Sequence, residues 1–176
     1  MFHILAISGS LRRDSSNASL LKAAAMVAPK GIEVVLSNDI ARLPHFNPDL
    51  EDSLPQAVVD FRFSIAGSDG ILFSTPEYAH SIPGSLKNAL DWLVSGSEFI
   101  DKPVGLFHAS NRSTYARASL IEILRTMSGK FLEGAERTLA LLGKDLTAEA
   151  IASDPEMRSV LVSGLTEFMR LATVAP

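Results

Sequence analysis

Apolar positions along the chain follow two alternating rhythms. Short, mainly apolar runs occur at Phe2–Ile7, which ends in Ser8-Gly9-Ser10, and at Ile32–Leu36, Gly70–Phe73 and Val104–Phe107. The first has the pattern of a strand buried on both sides, the habit of parallel sheets, and the others read as further strands. Between them, apolar residues recur at helical spacing: Leu20, Leu21, Ala24, Val27 and Ala28, then Val58, Phe61 and Ile65, then Leu86, Ala89, Leu90 and Leu93. Pro29-Lys30-Gly31 stops the first of these helices and Pro83 opens the third. The pattern goes on with a fourth helix around Ala118–Met127, an irregular stretch from Gly129 to Gly134 and a fifth strand near Thr138–Leu142. A last helix opens at Asp154-Pro155, with Met157, Val160, Leu161, Leu165 and Phe168 on one stripe. From Ser37 to Ser53 there is no sustained period, only Pro44, Pro48, Asn38 and Asn47, which predicts a long surface connection.

Strands alternating with helices imply right-handed crossovers and a parallel sheet covered on both faces. Five strands fit the order 2-1-3-4-5, a three-layer α/β/α sandwich read as one domain over residues 1–176. In such sheets ligands bind at the carboxyl ends of the strands, beside the reversal of strand order. The chemistry is therefore expected in the loops after strands one, three and four.

Composition narrows the chemistry. The chain has 176 residues, 47% hydrophobic, which suits one ordinary domain with a buried core. Its formal net charge is −4 with no long run of either sign, so no footprint for nucleic acid appears. Cysteine is absent, which removes disulfides, thiolate metal sites and thiol redox chemistry, so redox activity would need a bound cofactor. His3, His45, His80 and His108 show no metal-ligand spacing. The start of the chain lacks a signal-peptide pattern and no run is long enough to span a membrane; a soluble, cytoplasmic protein is expected.

The loop after strand one, Ser8-Gly9-Ser10-Leu11-Arg12-Arg13-Asp14-Ser15-Ser16-Asn17-Ala18-Ser19, packs five serine hydroxyls, an Asn and two Arg against a helix start. Free amides at a helix N-terminus, with hydroxyls and a guanidinium, make a cage for a phosphate dianion. Without Gly-Lys-Ser/Thr it is no Walker A, and with one glycine it is no dinucleotide turn, so a terminal monophosphate suits it better than a pyrophosphate. The plainer alternative is a helix cap at Ser16 or Asn17 with solvated serines around it.

After strand three comes Ser74-Thr75-Pro76-Glu77-Tyr78-Ala79-His80-Ser81-Ile82-Pro83-Gly84-Ser85-Leu86-Lys87-Asn88-Ala89-Leu90-Asp91-Trp92-Leu93. It strongly resembles the Pro-Glu-Tyr, Ile-Pro-Gly, Leu-Lys-Asn-Ala and Asp-Trp-Leu pattern of the NADPH-dependent FMN reductase family. That family's first loop runs Gly-Ser-x-Arg, then Ser-x-Asn or Ser-Asn, and the likeness extends to about Met127. The resemblance implies a flavodoxin-like fold and FMN as cofactor, reduced by NADPH or NADH in a ping-pong cycle. It also implies acceptors such as free flavin, quinones, azo compounds or metal oxyanions, and a homodimer or homotetramer. By the same resemblance Ser10, Arg12, Ser16, Asn17 and Ser19 hold the FMN phosphate, while Pro76, Glu77, Tyr78 and Ala79 follow the isoalloxazine edge. Pro76 and Pro83 stiffen this loop, so amides near Glu77–Ala79 can face the flavin N5/O4 edge. The alternatives are a half-buried Tyr78 and a Glu77 carboxylate pointing away into solvent. His80 reads as a surface or hydrogen-bonding residue, and Lys87 and Asp91 as a weak exposed pair. Trp92 reads either as core edge or as subunit contact.

The loop after strand four, His108-Ala109-Ser110-Asn111-Arg112-Ser113-Thr114-Tyr115-Ala116-Arg117, lacks the glycines many family members carry there. Ser110 and Arg112, with Asn111, are placed at the pyrimidine side of the flavin, Arg112 offsetting its anionic reduced form. Arg112 or Arg117 could instead meet donor phosphates, or the loop could simply cap a helix at Ser113 or Thr114. No acid–base residue is required, because hydride passes directly from nicotinamide to flavin. The competing reading is a flavodoxin-type electron carrier that docks on protein partners, although such carriers are more acidic.

Overall fold

The computed structural model describes residues 1–141, 143–144 and 146–174. Four strands form the body of the sheet: β1 (Phe2–Ser8), β2 (Ile32–Ser37), β3 (Gly70–Ser74) and β4 (Pro103–His108). Helices α1 (Ser16–Met26), α2 (Gln56–Ala66), α3 (Gly84–Asp91) and α4 (Thr114–Thr126) make the crossovers. The short α5 (Ala148–Ser153) and the long α6 (Pro155–Thr173) close the chain.

All pairings are parallel, in the order β2-β1-β3-β4 and on to an edge position. Side chains alternate across each strand. On β1, Ile4 and Ala6 face a layer built from α1, α5 and α6, while Leu5 and Ile7 face a layer built from α2, α3 and α4. Both faces are covered at Ile4–Ile7 and along Gly70–Ser74, so the apolar positions there run without a break up to Ser74. Phe168 of α6 lies against two strand glycines: a Cβ on Gly70 would meet its ring at 2.5 Å and one on Gly105 at 2.7 Å. Any side chain there would push α6 off the sheet.

The edge strand departs from the sequence expectation. It is two short pieces, β5 (Lys130–Phe131) beside the start of β4 and β6 (Arg137–Thr138) beside its end, with a 3-10 turn at Glu133–Ala135 between them. The stretch read as irregular thus holds the first piece. The stretch read as strand five holds Thr138, and Leu139 and Leu141 continue the ladder by donating to the carbonyls of His108 and Ala109. Leu142, at the end of that expectation, lies outside the described residues.

The connection from Ser37 to Ser53 contains two 3-10 turns, Asp39–Ala41 and Pro48–Ser53. It is pinned to α3: Asn88 accepts from Phe46 N (2.8 Å) and donates to Pro44 O, and the Trp92 indole donates to the same carbonyl (2.8 Å). Phe46 meets the Trp92 ring edge-on. Trp92 is fully buried within its own chain, so of the two readings left open the core role is the one observed.

Candidate functional site

The loops after β1, β3 and β4 converge on one cavity of about 360 Å³, within the range of small-molecule sites. Nine of the eleven residues singled out from sequence line it: Ser10, Arg12, Ser16, Asn17, Pro76, Glu77, Tyr78, Ser110 and Arg112. Thr75, Ser15, Ala109 and Ser113 complete the wall. Ser19 lines a neighbouring cavity instead, with Arg13, Lys22 and Thr147, because it lies a full turn into α1 on another face. Ala79 sits at the tip of a turn and is no part of the wall.

The β1 loop is shaped by short-range hydrogen bonds. Ser10 N donates to Ser8 Oγ, Arg12 N donates to Ser10 Oγ (3.3 Å each), and Ser15 is the helix cap, accepting from Ala18 N. The cap is therefore neither Ser16 nor Asn17. Their amides, at the first two positions of α1, donate to no protein acceptor among the described residues. Asn17 is buried, and its side-chain oxygen accepts from Ser74 Oγ (2.9 Å), which fixes the amide so that its NH₂ remains available. The β1 and β3 loops touch at Gly9, whose amide donates to Ser74 O (2.9 Å). A Cβ on Gly9 would stand 2.2 Å from Thr75 Oγ1.

The β4 loop repeats the turn of the β1 loop. Arg112 N donates to Ser110 Oγ (3.1 Å), as Arg12 N does to Ser10 Oγ, so two Ser-x-Arg turns face one cavity. Among the described residues neither Arg12 nor Arg112 has an ion-pair partner. Glu77 is the sole carboxylate in the wall, and its Oε2 accepts from Ala116 N (2.9 Å) in the first turn of α4. Its charge thus answers the helix dipole. The unpaired amides, hydroxyls and free Arg12 guanidinium of the β1 loop fit a phosphate monoester.

One functional group escaped the sequence reading. Glu136, between the two edge pieces, accepts from His108 Nε2 (3.0 Å) and from Arg117 Nε (2.8 Å). Burial opposes its charge, but the hydrogen bonds from His108 and Arg117 outweigh that cost and hold its carboxyl at about 2. The same bond raises the Arg117 guanidinium above its usual value. Arg117 is thus committed to Glu136. The one hint in the sequence was His108 itself, a titratable residue ending a buried strand and so in need of a partner. Among the described residues no cluster of three or more His, Asp or Glu suits a metal ion, and no helix is long and apolar enough to cross a membrane.

A doubly wound parallel sheet with an anion-binding first loop and two further loops over the same cavity defines the flavodoxin-like class. The family model for NADPH-dependent FMN reductase matches residues 2–140, and the chain belongs to that family. A probable NADPH:quinone oxidoreductase 2 of Oryza sativa subsp. japonica is 48% identical over 93 residues, covering 51% of this chain and 46% of that protein. An NAD(P)H-dependent FMN reductase of Pseudomonas aeruginosa is 42% identical over 110 residues, covering 61% of this chain and 59% of that protein. The chain thus spans about half of the length of the curated relatives it matches. Among solved structures, FerB, a flavoenzyme NAD(P)H:(acceptor) oxidoreductase from Paracoccus denitrificans, superposes with a TM-score of 0.82 at 26% identity, over 97% of this chain and 98% of that one.

Proposed function

We propose that residues 1–176 form one FMN-binding domain, an NAD(P)H-dependent oxidoreductase passing electrons to a small acceptor of the quinone or free-flavin kind. The observation that carries this reading is the single cavity joining a phosphate-type cage to two stiffened loops, with Arg12 and Arg112 unpaired on its wall. Ser10, Arg12, Ser16 and Asn17 would hold the phosphate; Pro76, Glu77 and Tyr78 would border the ring system, with Ser110 and Arg112 on the pyrimidine side. When bound, FMN supplies two-electron hydride acceptance and return, so the protein needs no nucleophile or proton-carrying residue of its own. The chain's part is alignment and charge: Ser10 and Asn17 are buried donors with fixed orientation, and Arg112 offers a counter-charge where negative charge grows on reduction. The names of the relatives, quinone and FMN reductases, support the acceptor class. Residues 148–173, beyond the family match, complete one face of the core through Leu161, Leu165 and Phe168, which supports one domain over two.

The test is an absorbance spectrum of the purified protein without oxygen, before and after NADPH or NADH. A flavin band bleached by either donor is the expected outcome. A flavin band untouched by both would leave an electron carrier in place of an enzyme, and no uptake of added FMN would remove the proposal. Initial rates with varied donor and acceptor should follow a ping-pong pattern, and sedimentation at micromolar concentration should show a homodimer or homotetramer.

A further inference from the structure

The loop after β3 adopts a backbone that its own residues do not favour. Tyr78 and Ser81 exchange both main-chain hydrogen bonds (2.9 and 3.0 Å), which closes a two-residue turn. Both residues between them are left-handed, Ala79 at φ 49° and His80 at φ 57°. Two successive positive φ values make a type I′ turn, which favours Asn-Gly, and neither Ala nor His enters that region without cost. Local preference therefore does not hold this turn; something outside it must.

Three contacts tie residues 77–81 to the first turns of α4. Glu77 Oε2 accepts from Ala116 N at 2.9 Å. The His80 ring stacks on Tyr115, with centroids 4.2 Å apart and planes 16° apart. Ser81 Oγ lies 3.4 Å from Ser119 Oγ. The start of α4 is itself tied from its other side, where Arg117 and His108 share Glu136. Pro76, Glu77 and Tyr78 thus line the cavity while the side chains of Glu77 and His80 engage α4.

We propose that Glu77, His80 and Ser81 clasp the strained turn after β3 onto α4, with Glu77 as the principal positioning residue that keeps the cavity-lining loop in its bound shape before any cofactor arrives. The consequence for FMN rests on the cofactor reading above, whereas the clasp can be observed without FMN. The two sites of failure can therefore be told apart.

The experiment compares wild type, Glu77→Ala and Glu77→Gln by amide hydrogen exchange on the cofactor-free protein and by FMN titration with the visible flavin spectrum. Glu77→Ala should speed exchange at Tyr78 and Ser81 and raise the Kd for FMN about tenfold, the scale of one hydrogen bond to a charged acceptor. Glu77→Gln keeps an oxygen for Ala116 N and should stay within about threefold of wild type. A second pair works even if Glu77→Ala fails to fold. Tyr115→Ala removes the stack and should weaken FMN, and His80→Gly, which accepts a positive φ freely, should suppress that effect in the double variant. The proposal is overturned if Glu77→Ala lowers only the melting temperature while exchange at residues 78–81, FMN affinity and the flavin spectrum match wild type. It is equally overturned if Tyr115→Ala has the same effect with and without His80→Gly. Wild type that takes up no FMN, with faster exchange in Glu77→Ala, would sink the cofactor reading and leave the clasp standing.

Discussion

The two ends of the candidate site are built by different means. At the β1 end, Ser8, Ser10, Arg12, Ser15 and Ala18 are linked by hydrogen bonds that span two or three residues. At the other end the loops after β3 and β4 are held across long stretches of chain: Glu77 to Ala116, 39 residues apart, and His108 to Glu136, 28 apart. Apart from Asn17, which Ser74 holds across 57 residues, this cage is made from neighbours in sequence and forms wherever the strand-to-helix turn forms. A lip made from distant partners exists only once the sheet and α4 are in place. The phosphate end should therefore survive changes that loosen the ring end, and the reverse should not hold.

The change that breaks this distinction most severely is Gly9→Ala, because Gly9 is where the two ends touch. Its Cβ would meet Thr75 Oγ1 at 2.2 Å and Thr75 Cβ at 2.8 Å, so the β1 loop must leave β3. Stability should fall by about 3 kcal/mol, the upper part of the range for overpacking, with FMN no longer retained on purification. Urea unfolding and flavin content check it, and Thr75→Gly in the same chain should restore part of both.

Arg12→Ala should act on one end alone. Loss of a charge-assisted bond predicts FMN binding weaker by roughly 1.5–3 kcal/mol with folding stability nearly unchanged. Fluorescence titration gives the first quantity and thermal melting the second; unchanged affinity would remove Arg12 from the site.

Glu136 sharpens the comparison from the long-range side. Its carboxyl is held at about 2, below the usual 4.5, by His108 and Arg117 against the cost of burial. A depressed carboxyl contributes stability in full above pH 4.5, and that contribution drains away as pH falls from about 4.5 toward about 2. Glu136→Gln should therefore cost about 2 kcal/mol at pH 7 and progressively less on acidification, so that the variant's stability curve is flatter than that of wild type between those limits. Denaturant melts at pH 7 and pH 3 measure the difference.

The same contrast explains what could be read in advance. Strands β1, β3 and β4 were legible because burial on both faces makes their central positions apolar, as at Ile4, Leu5, Ala6 and Ile7. At the sheet edge β2 was legible because Ile32, Val34 and Leu36 keep one face apolar. The other edge was not, since Lys130 and Arg137 stand in pieces of two residues each, open on one side and too short to carry a period. In the site, Ser10, Arg12 and Asn17 announced themselves because donors, small residues and a helix start cluster within one loop. Glu136 did not, for it lies in the polar run Glu133-Gly134-Ala135-Glu136-Arg137, and its partners are brought to it only by β4 and α4. Tyr78 and Glu77 stood out by resemblance, but the use of Glu77 to hold α4 is a tertiary fact.

Ser19 marks the limit of local legibility in the other direction. By sequence it belongs with the phosphate cage, yet one turn of helix carries its hydroxyl to a second cavity, beside Lys22 and Thr147. Ser16, three residues earlier, borders both cavities, and Ser19 borders only the second. Ser19→Ala should therefore change the FMN Kd by no more than about twofold, within the ±0.5 kcal/mol usual for surface substitutions, whereas Ser16→Ala should weaken binding measurably more. Paired titrations under one set of conditions decide it. Equal losses at both positions would mean that the cage extends around α1 and that helix geometry, not nearness in sequence, has been given too much weight.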